Sequence, residues 1–134
     1  MNLLLDTHTA VWVMQGAPRL GRAARRACDA ALAADRLEIP TLVYYELSEG
    51  LKRRHIGGVS SVREWRDRIL SLGVREVELT ARIAMRAADL ENLPGDPFDR
   101  LIVATALVQD AVLLTADQPI LAWSGPVRRQ DAQR

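Results

Sequence analysis

PGDPFDRLIVATALVQDAVLLTAD, residues 94–117, reads as a helix followed by a buried strand, with a carboxylate at a working end of each. Asp96 is a good N-cap, and Pro97 suits the first helical position, where its missing N–H costs nothing. Phe98 to Gln109 continue the helix, with Leu101, Ile102, Thr105 and Val108 at core-facing spacing. Val112 to Thr115 form an apolar run that is too short for a helix and suits an interior strand. Asp99 then lies in the first helical turn. Asp117 lies just past the carboxyl end of a strand, the end at which open α/β sheets bind ligands.

Working outward, the same alternation repeats. Residues 2–5 read as a buried first strand ending on Asp6, and Thr7 to Gln15 as a helix in which Trp12 packs. Gly16-Ala17-Pro18 breaks that pattern. An alanine-rich helix follows over about 22–34, with Cys28 a core thiol in its small apolar stripe. Leu37 to Ile39 give a second strand that Pro40 ends, and Thr41 caps a helix running to about Arg54. The apolar arc of this helix is Leu42, Val43, Leu47 and Leu51, and Glu46 falls inside it. A carboxylate aimed toward a core needs a partner, because burying an unpaired charge is costly.

Ser61 to Leu72 make an amphipathic helix with Val62, Trp65, Ile69 and Leu72 inward. Val74 to Leu79 alternate as a strand, and Thr80 caps a helix to about Leu90. Beyond Asp117, residues 119–123 give a short helix or turn and Val127-Arg128 an edge strand, while residues 130–134 read as frayed. Strands alternate with helices throughout. The expected fold class is therefore α/β, a central mainly parallel sheet flanked by helices in three layers. No linker divides residues 1–134, so a single domain is expected.

Composition bounds the function. A chain of 134 residues with 49% hydrophobic content can bury a proper core and is not a disordered segment. Its longest apolar runs fall far short of the roughly 20 residues of a membrane span. Leu3-Leu4-Leu5 follows Met1-Asn2 without a basic segment, so it is not a signal peptide. The single cysteine offers neither an internal disulfide nor a metal framework, and a cytoplasmic chain is expected. With a net charge of +1, the whole molecule is not a strongly basic nucleic-acid binder. Of the 18 basic residues only Lys52 is a lysine. Arginine grips phosphate bidentately, although genome base content also produces alanine- and arginine-rich chains.

Asp6, Glu46, Asp99 and Asp117 stand out together by position. Parallel strands present their carboxyl ends along one sheet edge, so Asp6 and Asp117 lie close together if their strands are neighbours. Like charges gathered in one cleft raise one another's pKa, a conflict that a divalent cation removes. An all-oxygen site points to Mg²⁺ or Mn²⁺ over Zn²⁺. Such a cation acidifies water and polarises a phosphodiester. Each aspartate also has a plain structural use: Asp6 as a helix cap, Asp99 at a positive helix end, and Asp117 in a turn. Glu46 is the hardest of the four to explain in this way.

These residues carry a resemblance. Leu3-Leu4-Leu5-Asp6-Thr7-His8-Thr9-Ala10-Val11-Trp12, Tyr45-Glu46-Leu47, Asp96-Pro97-Phe98-Asp99-Arg100-Leu101-Ile102-Val103-Ala104-Thr105-Ala106 and Leu113-Leu114-Thr115-Ala116-Asp117 resemble the ordered motifs of PIN-domain ribonucleases. They are most similar to those of the VapC-type toxins of type II toxin–antitoxin systems. The resemblance implies a PIN-like fold over the whole chain, with Asp6, Glu46, Asp99 and Asp117 as the quartet holding Mg²⁺ or Mn²⁺. It implies that Thr115 supports the acids through its hydroxyl. It implies cleavage of RNA, often tRNA or rRNA, a homodimer, and a VapB-type antitoxin whose C-terminal segment enters the groove. Many relatives carry a histidine shortly before the position of Asp96, where this chain has Pro94-Gly95. His8, inside the first motif, reads as structural or supporting.

Two other site types fit poorly. A receiver-like domain wants paired acids after the first strand and a late lysine, and a haloacid-dehalogenase-like phosphatase wants Asp-x-Asp and a lysine. Here Asp6 is followed by Thr7-His8, and Lys52 ends a helix. A catalytically silent PIN fold, binding RNA or protein as a scaffold, is the remaining alternative. RNA contact has to come from local charge. Arg22, Arg25 and Arg26 share a helix face, Lys52, Arg53 and Arg54 form a second cluster beside His55, and Arg100 adjoins Asp99. All are expected to flank the acidic cleft. The second cluster also suits the negative end of its helix.

Overall fold

The computed structural model describes residues 1–54 and 56–134. His55, read with the second basic cluster, lies outside the described residues. Five strands form one sheet: β1 (Leu3–Leu5), β2 (Leu37–Pro40), β3 (Arg75–Val77), β4 (Val112–Thr115) and β5 (Arg129–Asp131), in the order β3-β2-β1-β4-β5. Every pairing is parallel, with Leu3 opposite both Leu37 and Val112, and Leu5 opposite Leu114. The chain winds outward from β1 through β2 to β3, then crosses back to lay β4 on the other side of β1. The β1/β4 boundary is therefore the switch point where doubly wound sheets open a crevice at their carboxyl ends.

Helices cover both faces. Leu3, Leu5, Leu37, Ile39 and Leu114 pack against α1 (Thr7–Gln15), α2 (Arg22–Ala33), α3 (Val43–Lys52) and α4 (Val62–Ser71), where Val11, Ala24, Cys28, Leu47, Trp65 and Ile69 are buried. Leu4, Val77 and Leu113 face the opposite way, onto α5 (Ala81–Asp89), α6 (Pro97–Gln109) and α7 (Gln118–Ala122). Successive strand residues serve opposite layers, as the pleat requires. Three-residue strands suffice because both faces are covered. Among the described residues, no helix is long and apolar enough to cross a membrane.

Helix starts follow their caps. Ser61 accepts from the Glu64 amide, Thr80 from that of Ile83 and Asp96 from that of Asp99. Several sequence expectations need correction. Thr41 does not cap α3: it sits in a turn, and α3 begins at Val43 behind Leu42 with no side-chain cap. β2 does not stop at Ile39 but includes Pro40 as its last residue, opposite Val77. Leu72 is 51% exposed, because α4 ends at Ser71 and Leu72 lies beyond the buried stripe. The last strand is Arg129–Asp131, not Val127-Arg128, and residues 130–134 are not frayed. Ala132 is fully buried, and its carbonyl accepts from the Gly21 amide.

Candidate active site

Asp6 follows β1 directly and caps α1, with Oδ1 accepting from the Thr9 amide at 3.0 Å. Its other oxygen accepts a hydrogen bond of 2.5 Å from the hydroxyl of Thr115, the last residue of neighbouring β4. The same hydroxyl oxygen accepts from the Asp117 amide at 3.0 Å. Asp117 in turn caps α7 through the Ile120 amide. One threonine hydroxyl thus ties the ends of β1 and β4 together. The parallel β1/β4 register makes this contact possible, since Leu5 and Leu114 are opposed one residue earlier.

Glu46 comes from the first turn of α3, and its Oε1 accepts from the Thr7 hydroxyl at 2.7 Å. Asp99 comes from the first turn of α6. Asp6, Glu46, Asp99 and Asp117 all line one cavity of about 470 Å³, together with His8, Trp12, Arg19, Asp96 and Gln133. The four acids come from four separate stretches of chain, and the cavity sits over the β1/β4 switch point.

The cavity is electrostatically crowded. Burial is the main cause that pushes the Asp99 carboxyl up to about 7, and Asp96, Asp117 and Glu46 add to it. Burial also raises Glu46, with Asp96 and Asp6 adding, while the Thr7 hydroxyl bond and His8 oppose. Every carboxylate donor is oxygen, and the only cysteine is buried elsewhere, in the α2 layer. That donor set fits a hard divalent cation. Among the described residues, no three His, Cys, Asp or Glu side chains are gathered closely enough to form an ion site as placed.

Two lining residues, Asp96 and Arg19, are not among the site residues expected from the sequence. Asp96 reads as a cap and is one, yet it also lines the cavity and raises both Asp99 and Glu46. Its place in Asp-Pro-Phe-Asp is the feature that points to it. Arg19 lies in the loop after α1, with its guanidinium 6.0 Å from the Trp12 ring centroid. Trp12 is accordingly half-buried and lines the cavity as well as packing. No periodicity extends into that loop to reveal Arg19.

The basic residues divide. Arg53 lines a second cavity that shares Thr7, His8, Glu46 and Asp96 with the first. Lys52 and Arg54 are exposed at the end of α3 and line neither. Arg22, Arg25 and Arg26 are exposed on α2, and Arg25 donates to the Ala17 carbonyl. Arg100 does not turn toward the cleft. Its guanidinium donates to the carbonyls of Ala87, Leu90 and Leu93, capping the end of α5. Adjacency to Asp99 along a helix put it 100° around the axis, on the side facing α5.

Residues 3–121 match the family model of the PIN domain. Ribonuclease VapC22 of Mycobacterium tuberculosis (strain ATCC 25618 / H37Rv) is 34% identical over 126 residues, which is 93% of this chain and 94% of that protein. VapBC2 from Rickettsia felis, solved bound to a DNA fragment from its promoter, has a chain that superposes with a TM-score of 0.73. That chain is 17% identical, and the match covers 97% of this chain and 98% of that one. DNA-bound VapBC from Salmonella typhimurium gives a TM-score of 0.70 at 16% identity over 98% of each chain. The fold persists where sequence has largely diverged. By motif order, sequence and fold together, the chain belongs to the PIN-domain family, as a VapC-type member.

Proposed function

We propose that the chain is the toxin of a type II toxin–antitoxin pair, a Mg²⁺- or Mn²⁺-dependent endoribonuclease built on a single domain. The observation that carries this reading is the meeting of Asp6, Glu46, Asp99 and Asp117 in one cavity at the switch point. The likeness to Ribonuclease VapC22 supports RNA as substrate. The likeness to solved VapBC complexes supports a VapB-type antitoxin as partner. A homodimer working in the cytoplasm belongs to the same proposal.

In this reading the four acids hold the cation, which when bound supplies an acidified water and a Lewis acid at the phosphodiester. Thr115 fixes Asp6 and Asp117 relative to each other, and Thr7 fixes Glu46. Groups held in this way lose little freedom when they close on a ligand. Arg53, at the rim, is placed to meet a phosphate and position the strand.

A catalytically silent scaffold is the second reading: among the described residues, the acids share a cavity without three of them being gathered closely enough to hold an ion as placed. The test is hydrolysis of RNA with Mg²⁺ or Mn²⁺ against chelator, together with Mn²⁺ binding followed by paramagnetic resonance. Wild type is expected to bind Mn²⁺ and cut, and Asp6→Asn and Asp99→Asn to lose both. Mn²⁺ binding without cleavage of any RNA favours the scaffold. Absence of binding rejects the metal site.

A further inference from the structure

Beside the acidic cavity lies a cleft of about 330 Å³ with two aromatic rings, Tyr45 and Phe98, in its lining. Tyr45 and Phe98 stack there, with ring centroids 5.3 Å apart and planes inclined by 23°. Tyr45 keeps 57% of its surface exposed. Each ring directly precedes an acid of the neighbouring cavity, Tyr45 before Glu46 and Phe98 before Asp99. The helices α3 and α6 therefore set the platform and the acids at fixed positions relative to each other. Arg53 stands on the same cleft.

We infer that Tyr45, backed by Phe98, is a stacking platform for an unpaired nucleobase of the strand being cut. The inference rests on the ribonuclease reading and adds to it a base contact beside the acids. A phosphodiester entering the acidic cavity carries its flanking nucleotide into the adjoining cleft, because the two share Thr7, His8, Glu46 and Asp96. A strand that must approach four carboxylates needs attraction that does not come from them. A π-face together with one guanidinium supplies it, and a protein recognises single-stranded bases by this combination. Every base has a π-face, so the platform selects for unpaired structure more than for sequence.

The test uses the 134-residue chain carrying Asp6→Asn, titrated into a short single-stranded RNA with 2-aminopurine at each position in turn. Quenching is expected at one position. Tyr45→Leu is expected to abolish it and to weaken binding about tenfold, and Tyr45→Trp to restore both. A strand made abasic at that position is expected to bind with the affinity of the Tyr45→Leu protein. Absence of quenching, or quenching that survives Tyr45→Leu, overturns the platform. Equal affinity for abasic and intact strands also overturns it and leaves the cleft to a protein side chain. Failure of the ribonuclease reading has a separate signature: chain with Asp6 and Tyr45 intact does not cut the same strand in Mg²⁺ or Mn²⁺, whatever the fluorescence shows.

Discussion

Thr115 shows how much one hydroxyl can organise. It is fully buried, donates to Asp6 and accepts from the Asp117 amide. Thr115→Val keeps the shape and strands both partners, at a cost of about 1–3 kcal/mol. Urea denaturation is expected to show that loss, and Mn²⁺ affinity to fall with it, while Thr115→Ser retains most of both. Gly95 is constrained differently. Its φ is +130°, and an added Cβ would stand 2.8 Å from Asp99 Oδ2. Gly95→Ala is therefore expected to displace the Asp99 carboxylate and to cost about 1 kcal/mol or more in stability. A melting temperature equal to that of wild type, with unchanged Mn²⁺ affinity, would refute this. Cys28 is only 4% exposed, and burial pushes its thiol up to about 11. Labelling by iodoacetamide at pH 8 is expected to wait on unfolding, and modification as fast as that of a free thiol would contradict it.

Elements were legible in proportion to how local their determinants are. The organising helix, its Asp96-Pro97 start and the strand after it were readable because capping, φ restriction and apolar run length all act within a few residues. The start of α3 was not, since a turn at Thr41 and Leu42, whose Thr41 amide bonds to the Val77 carbonyl of β3, replaces the expected cap. A long-range partner of this sort leaves no trace in the neighbouring residues. The Tyr44–Glu76–Arg66 cluster is equally nonlocal. Arg66 holds both oxygens of Glu76 at 2.7 and 2.8 Å, and the Tyr44 hydroxyl adds a third bond, tying α3, α4 and β3 together. Chiefly through the Arg66 bonds, the Glu76 carboxyl is held below its usual range. A depressed folded pKa means that the stabilisation is complete above the unfolded value, about 4.3, and is lost as pH falls through the folded one. Glu76→Gln is expected to lower stability at pH 7 by about 1 kcal/mol, and the gap from wild type to close in acid. A gap that stays constant between pH 7 and pH 3 would show that charge plays no part.

At the scale of the whole molecule, the acids meet because of strand order, which no single motif contains. Alternation of strands and helices implies a parallel sheet, and Asp6 and Asp117 each follow a strand. Their meeting still required β4 to return beside β1, and that is a property of winding. The carboxyl-terminal tail exposes the limit of local reading. Its polar sequence, Gln130 to Arg134, reads as frayed, yet it closes the sheet and caps a helix far away in sequence. The Ala132 amide donates to the Thr115 carbonyl at 2.9 Å. Arg134 offers its carbonyl to the amides of Ala23 and Ala24 at 2.9 and 3.2 Å, standing in for the cap that Gly21 cannot supply. A Cβ at Gly21 would run into that backbone, so glycine is what lets the tail approach. Deleting residues 132–134 removes several backbone hydrogen bonds, each worth about 0.5–1.5 kcal/mol, and uncovers the start of α2. A loss of about 2–4 kcal/mol is expected in urea, together with fast hydrogen exchange at the Ala23 and Ala24 amides, which are otherwise slow. Because Thr115 carries both the tail contact and the Asp6 hydroxyl bond, Mn²⁺ affinity is expected to fall in the same deletion. Unchanged denaturation and unchanged exchange at those two amides would restore the frayed reading and leave the tail without a structural role.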